Sequence, residues 1–105
     1  MAKHHIPSLG FGLGLRAEHR EQAALGPVAG VDWWEVLAEN VLEPSGAIPE
    51  DLVAIAQHTP IVLHSVSLNL GGLDALDTTY IQQLKILADA LNAPLLSDHL
   101  CWTGM

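Results

Sequence analysis

The sequence has few cationic residues, one cysteine and no long hydrophobic run, and each shortage excludes a class of protein. Four lysines and arginines stand against twelve aspartates and glutamates, which gives a formal net charge of −8 in 105 residues. A protein that binds the phosphates of nucleic acid, or an anionic membrane surface, needs a basic patch. We therefore expect neither nucleic acid nor a membrane as a partner.

The single cysteine and the absence of long hydrophobic runs exclude further classes of protein. The single cysteine, Cys101, excludes an internal disulfide and a cysteine-only metal site. The first fifteen residues contain Pro7 and three glycines, and they lack the sustained apolar segment of a secretion signal. Nowhere do eighteen apolar residues follow one another, so no transmembrane helix is predicted. These features predict a soluble protein in the reducing cytoplasm.

What the sequence does contain is a large hydrophobic fraction. Half of the residues, 50%, are hydrophobic and only 15% are charged, a balance that predicts a folded globular unit rather than a disordered chain. No linker or low-complexity run divides the sequence, so we treat residues 1–105 as a single domain.

Short apolar segments alternate with helical patterns along the chain. The predicted strands are Phe11–Leu15, Trp33–Ala38, Ile61–Leu68 and Leu95–Trp102, and the predicted helices run from about Glu18 to Leu25, from Pro49 to just before Thr59, and from Asp77 or Thr78 to Leu91. This β-α-β-α-β-α-β order predicts an α/β fold with a parallel sheet. Two closures fit it: a small open doubly wound sheet, or roughly half of an eight-stranded barrel.

Ionisable and polar residues fall late in the four predicted strands or just after them. Buried charges must pair, bind a metal or line a wet cavity, and the carboxyl ends of parallel strands line the functional site. Imidazole and carboxylate groups from adjacent strands are typical ligands of a divalent transition metal. The candidate site residues are Arg16, His19, Glu39, Asn40, His64, Asp98 and His99.

Each candidate also has a structural interpretation. A strand histidine is often a hydrogen-bonded core residue, and Arg16 and Glu39 suit a structural ion pair. Glu35 suits a barrel interior or an interface. His58, at the end of a predicted helix, suits a surface position stabilised by the helix dipole.

Four blocks of the sequence, taken in order, match one family. They are Gly12–Arg16 with His19, Trp34–Val36 leading to Glu39 and Asn40, Leu63–Gly71 (LHSVSLNLG), and Ser97–Trp102 (SDHLCW). From about Gly10 to Trp102, the chain resembles the multinuclear non-heme iron-dependent oxidative enzymes, also called domain of unknown function 692.

The resemblance implies a fold, a chemistry and partners. The fold is a TIM barrel of the xylose isomerase-like kind, of which this chain would supply about the first four strands and three helices. Two or three iron ions would lie at the carboxyl end of the barrel. Members use iron and dioxygen to modify cysteine residues of ribosomally made precursor peptides, in natural product biosynthesis, and a partner protein often presents the peptide.

The resemblance also implies roles for individual residues. His64 and His99 match the two histidines of these motifs that bind iron. Other candidates match polar positions close to the site: Asp98, Glu39, Asn40, Arg16 and His19. Ser65 and Ser67 stand where the family often has glycine, and their added hydroxymethyl groups are expected to alter the contacts near His64.

Family members are considerably longer than this chain, and further metal ligands come from their later strands. We therefore expect the N-terminal part of such an enzyme, truncated and inactive by itself. Two alternatives remain open: an isomerase-like barrel enzyme that uses another divalent metal, and a catalytically inactive half-barrel that self-associates as a homo-oligomer through its exposed sheet edges.

Overall fold

Strands and helices alternate along the chain in the computed structural model, which describes residues 9–43, 45–65 and 78–98. The strands are β1 (Gly12–Gly14), β2 (Trp33–Leu37), β3 (Ile61–Ser65) and β4 (Leu96–Asp98). The α-helices are α1 (Arg20–Ala24), α2 (Glu50–Ala56) and α3 (Thr78–Leu91). Two single-turn 3-10 helices, Ala17–His19 and Ala38–Asn40, precede α1 and follow β2.

The four strands form one parallel sheet in the order β1-β2-β3-β4. This confirms the predicted α/β class and the predicted sequence of elements. A doubly wound sheet reverses its strand order at one point, whereas strands of a barrel follow one another around it. Among the strands that the structure describes, each lies beside the next one in the chain, which is the order found within a barrel.

One face of the sheet packs against the helices and forms the hydrophobic core. Trp34 and Val36 of β2 and Ile61 and Leu63 of β3 alternate along their strands and are buried on this face. The helices contribute buried residues at helical spacing: Leu52 and Ile55 from α2, and Leu84, Leu87 and Leu91 from α3. The near-continuous apolar strands of the sequence are thus explained by helices that cover this face.

The other face of the sheet, which we call the second face, carries the polar side chains of Glu35, His64 and Ser97. Its residues are Gly12 and Gly14 of β1, Trp33, Glu35 and Leu37 of β2, Val62 and His64 of β3, and Ser97 of β4, as the register and the alternation of side chains require. The ring of Trp33 lies where a β-carbon on Gly12 would be, so the glycine is needed for this strand contact. Gly12 therefore has a packing role.

The helix boundaries agree with their sequence signals except in detail. The spacing of Ile81, Leu84, Leu87, Ala88 and Leu91 predicts one apolar stripe on α3. This is confirmed for Leu84, Leu87 and Leu91, which are buried, whereas Ile81 is 37% exposed. The four predicted strands are confirmed, but they are shorter than predicted: Phe11, Leu15, Ala38 and Leu95 are described and lie outside the strands. Residues 66–68 and 99–102, which the sequence also assigns to strands, lie outside the described residues. No helix in the described ranges is long and apolar enough to cross a membrane.

Candidate functional site

The carboxyl ends of β1 and β2 open into a groove that collects several of the predicted site residues. After β1 the chain reaches Arg16 and the 3-10 helix that contains His19, and after β2 it reaches Asn40. These three residues line an open cavity of about 840 Å³. We call this cavity the strand-end groove, and its polar lining is Arg16, Glu18, His19, Gln22, Glu35 and Asn40.

His64 occupies a different position, on the second face near the carboxyl end of β3. It is half-buried, and its register neighbours are Leu37 of β2 and Ser97 of β4. The imidazole Nδ1 lies 2.7 Å from Ser97 Oγ, within hydrogen-bond distance. The structure thus adds Ser97, which the sequence did not single out, as the residue that orients His64.

The carboxylate of Glu39 lies against a buried hydroxyl pair. Ser65 Oγ donates to Glu39 Oε2 at 2.8 Å, and the hydroxyl of Tyr80 donates to the same oxygen. Ser65 and Tyr80 hydroxyls are 2.8 Å apart, and Ser65 is fully buried. Glu39, Ser65 and Tyr80 form what we call the Glu39 cluster, which joins the ends of β2 and β3 to the first turn of α3.

The Glu39 cluster corrects one interpretation and refines another. The ion pair of Arg16 with Glu39 does not form, because the two ion pairs within the described residues join Arg20 to Asp51 and Lys85 to Asp89. Ser65, expected to alter contacts near His64, instead directs its hydroxyl to Glu39.

Tyr80 is not among the candidate residues predicted from the sequence, because no motif surrounds it. The one signal that could have identified it is that Tyr80 is the only tyrosine of the chain and lies in the first turn of α3.

Of the two candidate site residues on the predicted fourth strand, only Asp98 lies within the described residues. Asp98 ends β4 and is the register partner of Ser65, whereas His99 lies outside the described residues. Within the described ranges, no group of three or more histidine, cysteine, aspartate or glutamate side chains is arranged to hold a metal ion. His64 is therefore the predicted metal ligand whose surroundings the structure defines.

The structure corrects the predicted position of His58 and defines that of Glu35. His58 was predicted at the surface, but it is half-buried and its Nδ1 lies 2.7 Å from the hydroxyl of the buried Thr59. Glu35 is half-buried on the second face, between its register neighbours Gly14 and Val62, and it lines the strand-end groove.

A comparison with protein families assigns the chain. The sequence profile of the family described as RiPP precursor modification enzyme MbnB/TglH/ChrH matches residues 10–105. The chain belongs to this family. The resemblance drawn from the four sequence blocks is thereby confirmed. All seven candidate site residues lie within the range matched to the MbnB/TglH/ChrH family.

Curated relatives extend the same match. The UPF0276 protein of Rhizorhabdus wittichii is 42% identical over 95 residues, which cover 89% of this chain and 34% of the relative. The UPF0276 protein of Caulobacter vibrioides is 38% identical over 99 residues, covering 94% and 35%. A UPF0276 protein of Vibrio vulnificus is 33% identical over 93 residues, covering 89% and 32%. The chain thus spans about a third of the length of these relatives.

Proposed function

We propose that the chain is the N-terminal part of an iron-dependent oxidative enzyme that modifies cysteine residues of ribosomally made precursor peptides with dioxygen. The observation that carries this proposal is the placement of His64. It lies on the polar second face, near the carboxyl end of a parallel strand, and a hydroxyl group orients its ring. In an α/β sheet this is the edge at which ligands bind.

The surroundings of His64 fit a metal ligand. A histidine that binds a metal almost always has its other ring nitrogen in a hydrogen bond, which fixes the tautomer and the ring orientation. The 2.7 Å contact of Nδ1 with Ser97 Oγ is a contact of this kind. Imidazole is also a ligand that suits iron. These properties support His64 as a ligand that the fold prepares for iron.

We assign His99 as the second iron ligand of this chain. His99 follows Ser97 by two residues in the sequence, and residues two apart in a strand share a face. Ser97 is already the register neighbour of His64. This spacing supports two imidazoles from β3 and the β4 segment at one site.

Iron bound there would supply the activation of dioxygen, and the residues of this chain would hold and orient the metal. Two histidines do not complete a site of two or three iron ions. Because the chain spans about a third of its relatives' length, we propose that the remaining ligands come from the part of the longer proteins that it does not span. The strand order β1-β2-β3-β4 supports a role as the first half of a TIM-type barrel.

The family description names precursor peptides as what its members modify. We propose that a peptide of this class enters at the carboxyl ends of the strands, delivered by a separate peptide-presenting protein. The single cysteine of the chain supports a reducing, cytoplasmic setting, in which a substrate thiol stays available for modification.

Anaerobic titration of the chain with ferrous iron tests the ligand assignment. His64→Ala should weaken iron binding by at least about tenfold, and Ser97→Ala should weaken it roughly 10- to 100-fold because the ring loses its orienting contact. His58→Ala is the matched control, since His58 precedes β3 and lies at the opposite end of that strand. Iron binding by His64→Ala equal to that of the parent would refute the assignment.

The reaction class needs a separate measurement. We expect that a full-length family protein with these motifs consumes dioxygen when it acts on a cysteine-containing precursor peptide. Turnover of another substrate under strict anaerobiosis would instead support a divalent-metal isomerase-like enzyme.

A further inference from the structure

The described part of the chain has three cationic side chains, and two of them are neutralised by carboxylates. Arg20 binds Asp51 with a nitrogen–oxygen distance of 2.6 Å, and Lys85 binds Asp89 at 3.0 Å. The third, Arg16, takes part in neither of the ion pairs found among the described residues. In a chain of net charge −8, an arginine that pairs with no carboxylate among the described residues is a notable exception.

Arg16 lies at the carboxyl end of β1, where its side chain can reach a ligand. Arg16 follows β1 in an extended conformation, with φ −83° and ψ 149°, and its carbonyl oxygen accepts the backbone N–H of His19 at 2.9 Å. This hydrogen bond ties the backbone of Arg16 to the 3-10 helix that follows it. Its side chain is exposed and lines the strand-end groove, beside the site where we place the substrate.

The other charged residues of the groove are acidic, so an anionic ligand is attracted only near Arg16. Glu18 and Glu35 also line the groove, so an anionic ligand is repelled at those two points. Among the arginines and lysines of the described ranges 9–43, 45–65 and 78–98, Arg16 is the one that lines this groove. A guanidinium binds a carboxylate through two parallel hydrogen bonds, which fixes orientation as well as position.

We propose that Arg16 is a specificity-determining residue that binds a carboxylate of the peptide substrate in the strand-end groove. This inference rests on the proposed function, since it takes the ligand to be a peptide. The carboxylate belongs either to an acidic side chain or to the C-terminus of the peptide. In both cases Arg16 sets the register in which the peptide lies across the ends of β1 and β2.

The test uses the metal-free chain and short peptides that differ in one group. The probes are acetyl-Gly-Cys-Gly with a free C-terminus, the same peptide as its C-terminal amide, and acetyl-Gly-Asp-Gly amide with its Asn counterpart. Binding is followed by the NMR signal of the Arg16 guanidinium and by tryptophan fluorescence, because Trp34 also lines the groove. The first pair of peptides reports on a C-terminal carboxylate, and the second pair on a side-chain carboxylate.

At least one carboxylate probe should bind more tightly than its amide partner, and Arg16→Gln should weaken that binding by about tenfold. Arg16→Lys keeps the charge but loses the two-pronged geometry, so it should lose less. The matched control is Lys85→Gln, which removes one positive charge from the exposed surface of α3 and should leave binding unchanged.

Three results would overturn the inference: no binding of either carboxylate probe, equal binding of acid and amide, or equal losses in Arg16→Gln and Lys85→Gln. Because no iron is present, a failed iron titration leaves this test intact. Conversely, iron binding without discrimination between acid and amide would refute only the role of Arg16.

Discussion

Ser65 shows how much a single buried hydroxyl determines. It is fully buried at the end of β3 and contacts both Glu39 and Tyr80, two residues that lie on different elements. A carboxylate in such a position is stable only when hydrogen-bond donors compensate for the water that it has lost. Ser65 and Tyr80 supply two donors to one oxygen of Glu39.

Removing the Ser65 hydroxyl should therefore destabilise the fold. We expect Ser65→Ala to lower the free energy of unfolding by about 1–3 kcal/mol, because Glu39 loses a donor while it stays partly buried. Ser45→Ala is the control, since it deletes a hydroxyl at an exposed loop position and should cost less than about 0.5 kcal/mol. Urea unfolding of both variants measures the difference, and equal midpoints would contradict the structural role of the Glu39 cluster.

At the scale of elements, the residue that follows α3, Asn92, defines how the helix ends. Asn92 has a left-handed conformation with φ 53°, and the next residue, Ala93, donates its N–H to the carbonyl of Ala88 at 2.9 Å. The N–H of Asn92 bonds the carbonyl of Asp89 at 3.2 Å. These two bonds define a Schellman motif, in which asparagine and glycine are the residues that tolerate the left-handed position.

This geometry predicts opposite effects of two small substitutions. Asn92→Ala should destabilise the chain by about 1 kcal/mol, because alanine lacks the short polar side chain whose local hydrogen bonds allow asparagine to adopt positive φ. Asn92→Gly should be neutral or slightly stabilising at the same position. Thermal unfolding followed by circular dichroism separates the two, and a Gly variant less stable than the Ala variant would contradict the assigned helix end.

Helices α1 and α2 are joined by an ion pair that the sequence did not reveal. The Nε and Nη2 of Arg20 bind the two carboxylate oxygens of Asp51 at 2.8 and 2.6 Å. The hydrogen bonds and the positive charge of Arg20 lower the pKa of Asp51, and the N–H of Leu52 adds to this effect, while partial burial opposes it. Asp51 thus stabilises the folded state when it is ionised.

The lowered pKa fixes the sign of a pH dependence. A carboxyl with a folded pKa below its unfolded value stabilises the fold above that unfolded value, and this contribution is lost as the pH falls through the folded pKa. Asp51→Asn should cost about 0.5–1 kcal/mol at neutral pH, a value limited by solvent screening of a partly exposed pair. The difference from the parent should shrink in acid.

Unfolding midpoints measured across a pH series test this, with Asp89→Asn as the control. Asp89 belongs to a fully solvated pair with Lys85 on one helix, with side chains 70% and 75% exposed, so its loss should have a smaller effect. A constant cost of Asp51→Asn down to strongly acidic pH would contradict the ion-pair explanation.

At the scale of the whole molecule, the central strands of the described sheet are covered by helices, whereas its edge strands β1 and β4 are more exposed. Leu63 in β3 is completely buried, whereas Leu13 in β1 is 60% exposed and Leu96 in β4 is 46% exposed, although all three alternate onto the helix-covered face. β1 and β4 each have one strand neighbour in the described sheet. Unpaired edges with exposed apolar residues favour association with another strand.

We therefore expect the chain to self-associate in a concentration-dependent way, which light scattering over a dilution series measures. Gly14→Lys should reduce association, because a charged side chain on an edge strand opposes pairing and a β-carbon there meets no neighbour within 4 Å. Gly26→Lys is the control, since its position is equally open and lies in the turn after α1. A monomer at every concentration would refute this expectation.

The sequence predicted the elements well because their signals are local. The stripe that ends in Leu91 and the proline that precedes α2 act within one or two helical turns, and both helices formed as expected. The prediction was less accurate for polar contacts. The sequence places Glu39 near the site but does not indicate its hydrogen bond with Tyr80, a residue 41 positions further along the chain.

By itself, the sequence determined the order of strands and helices, most of the apolar stripe of α3 and the family of the protein. Periodicity and capping depend on neighbours in the chain, so they can be read without coordinates. Only the tertiary structure decided which polar groups meet: Ser97 with His64, Asp51 with Arg20 and, within the part of the chain that the structure describes, no carboxylate with Arg16. Such contacts join segments about 30 residues apart, and the strand register and the helix packing that bring them together are properties of the whole fold.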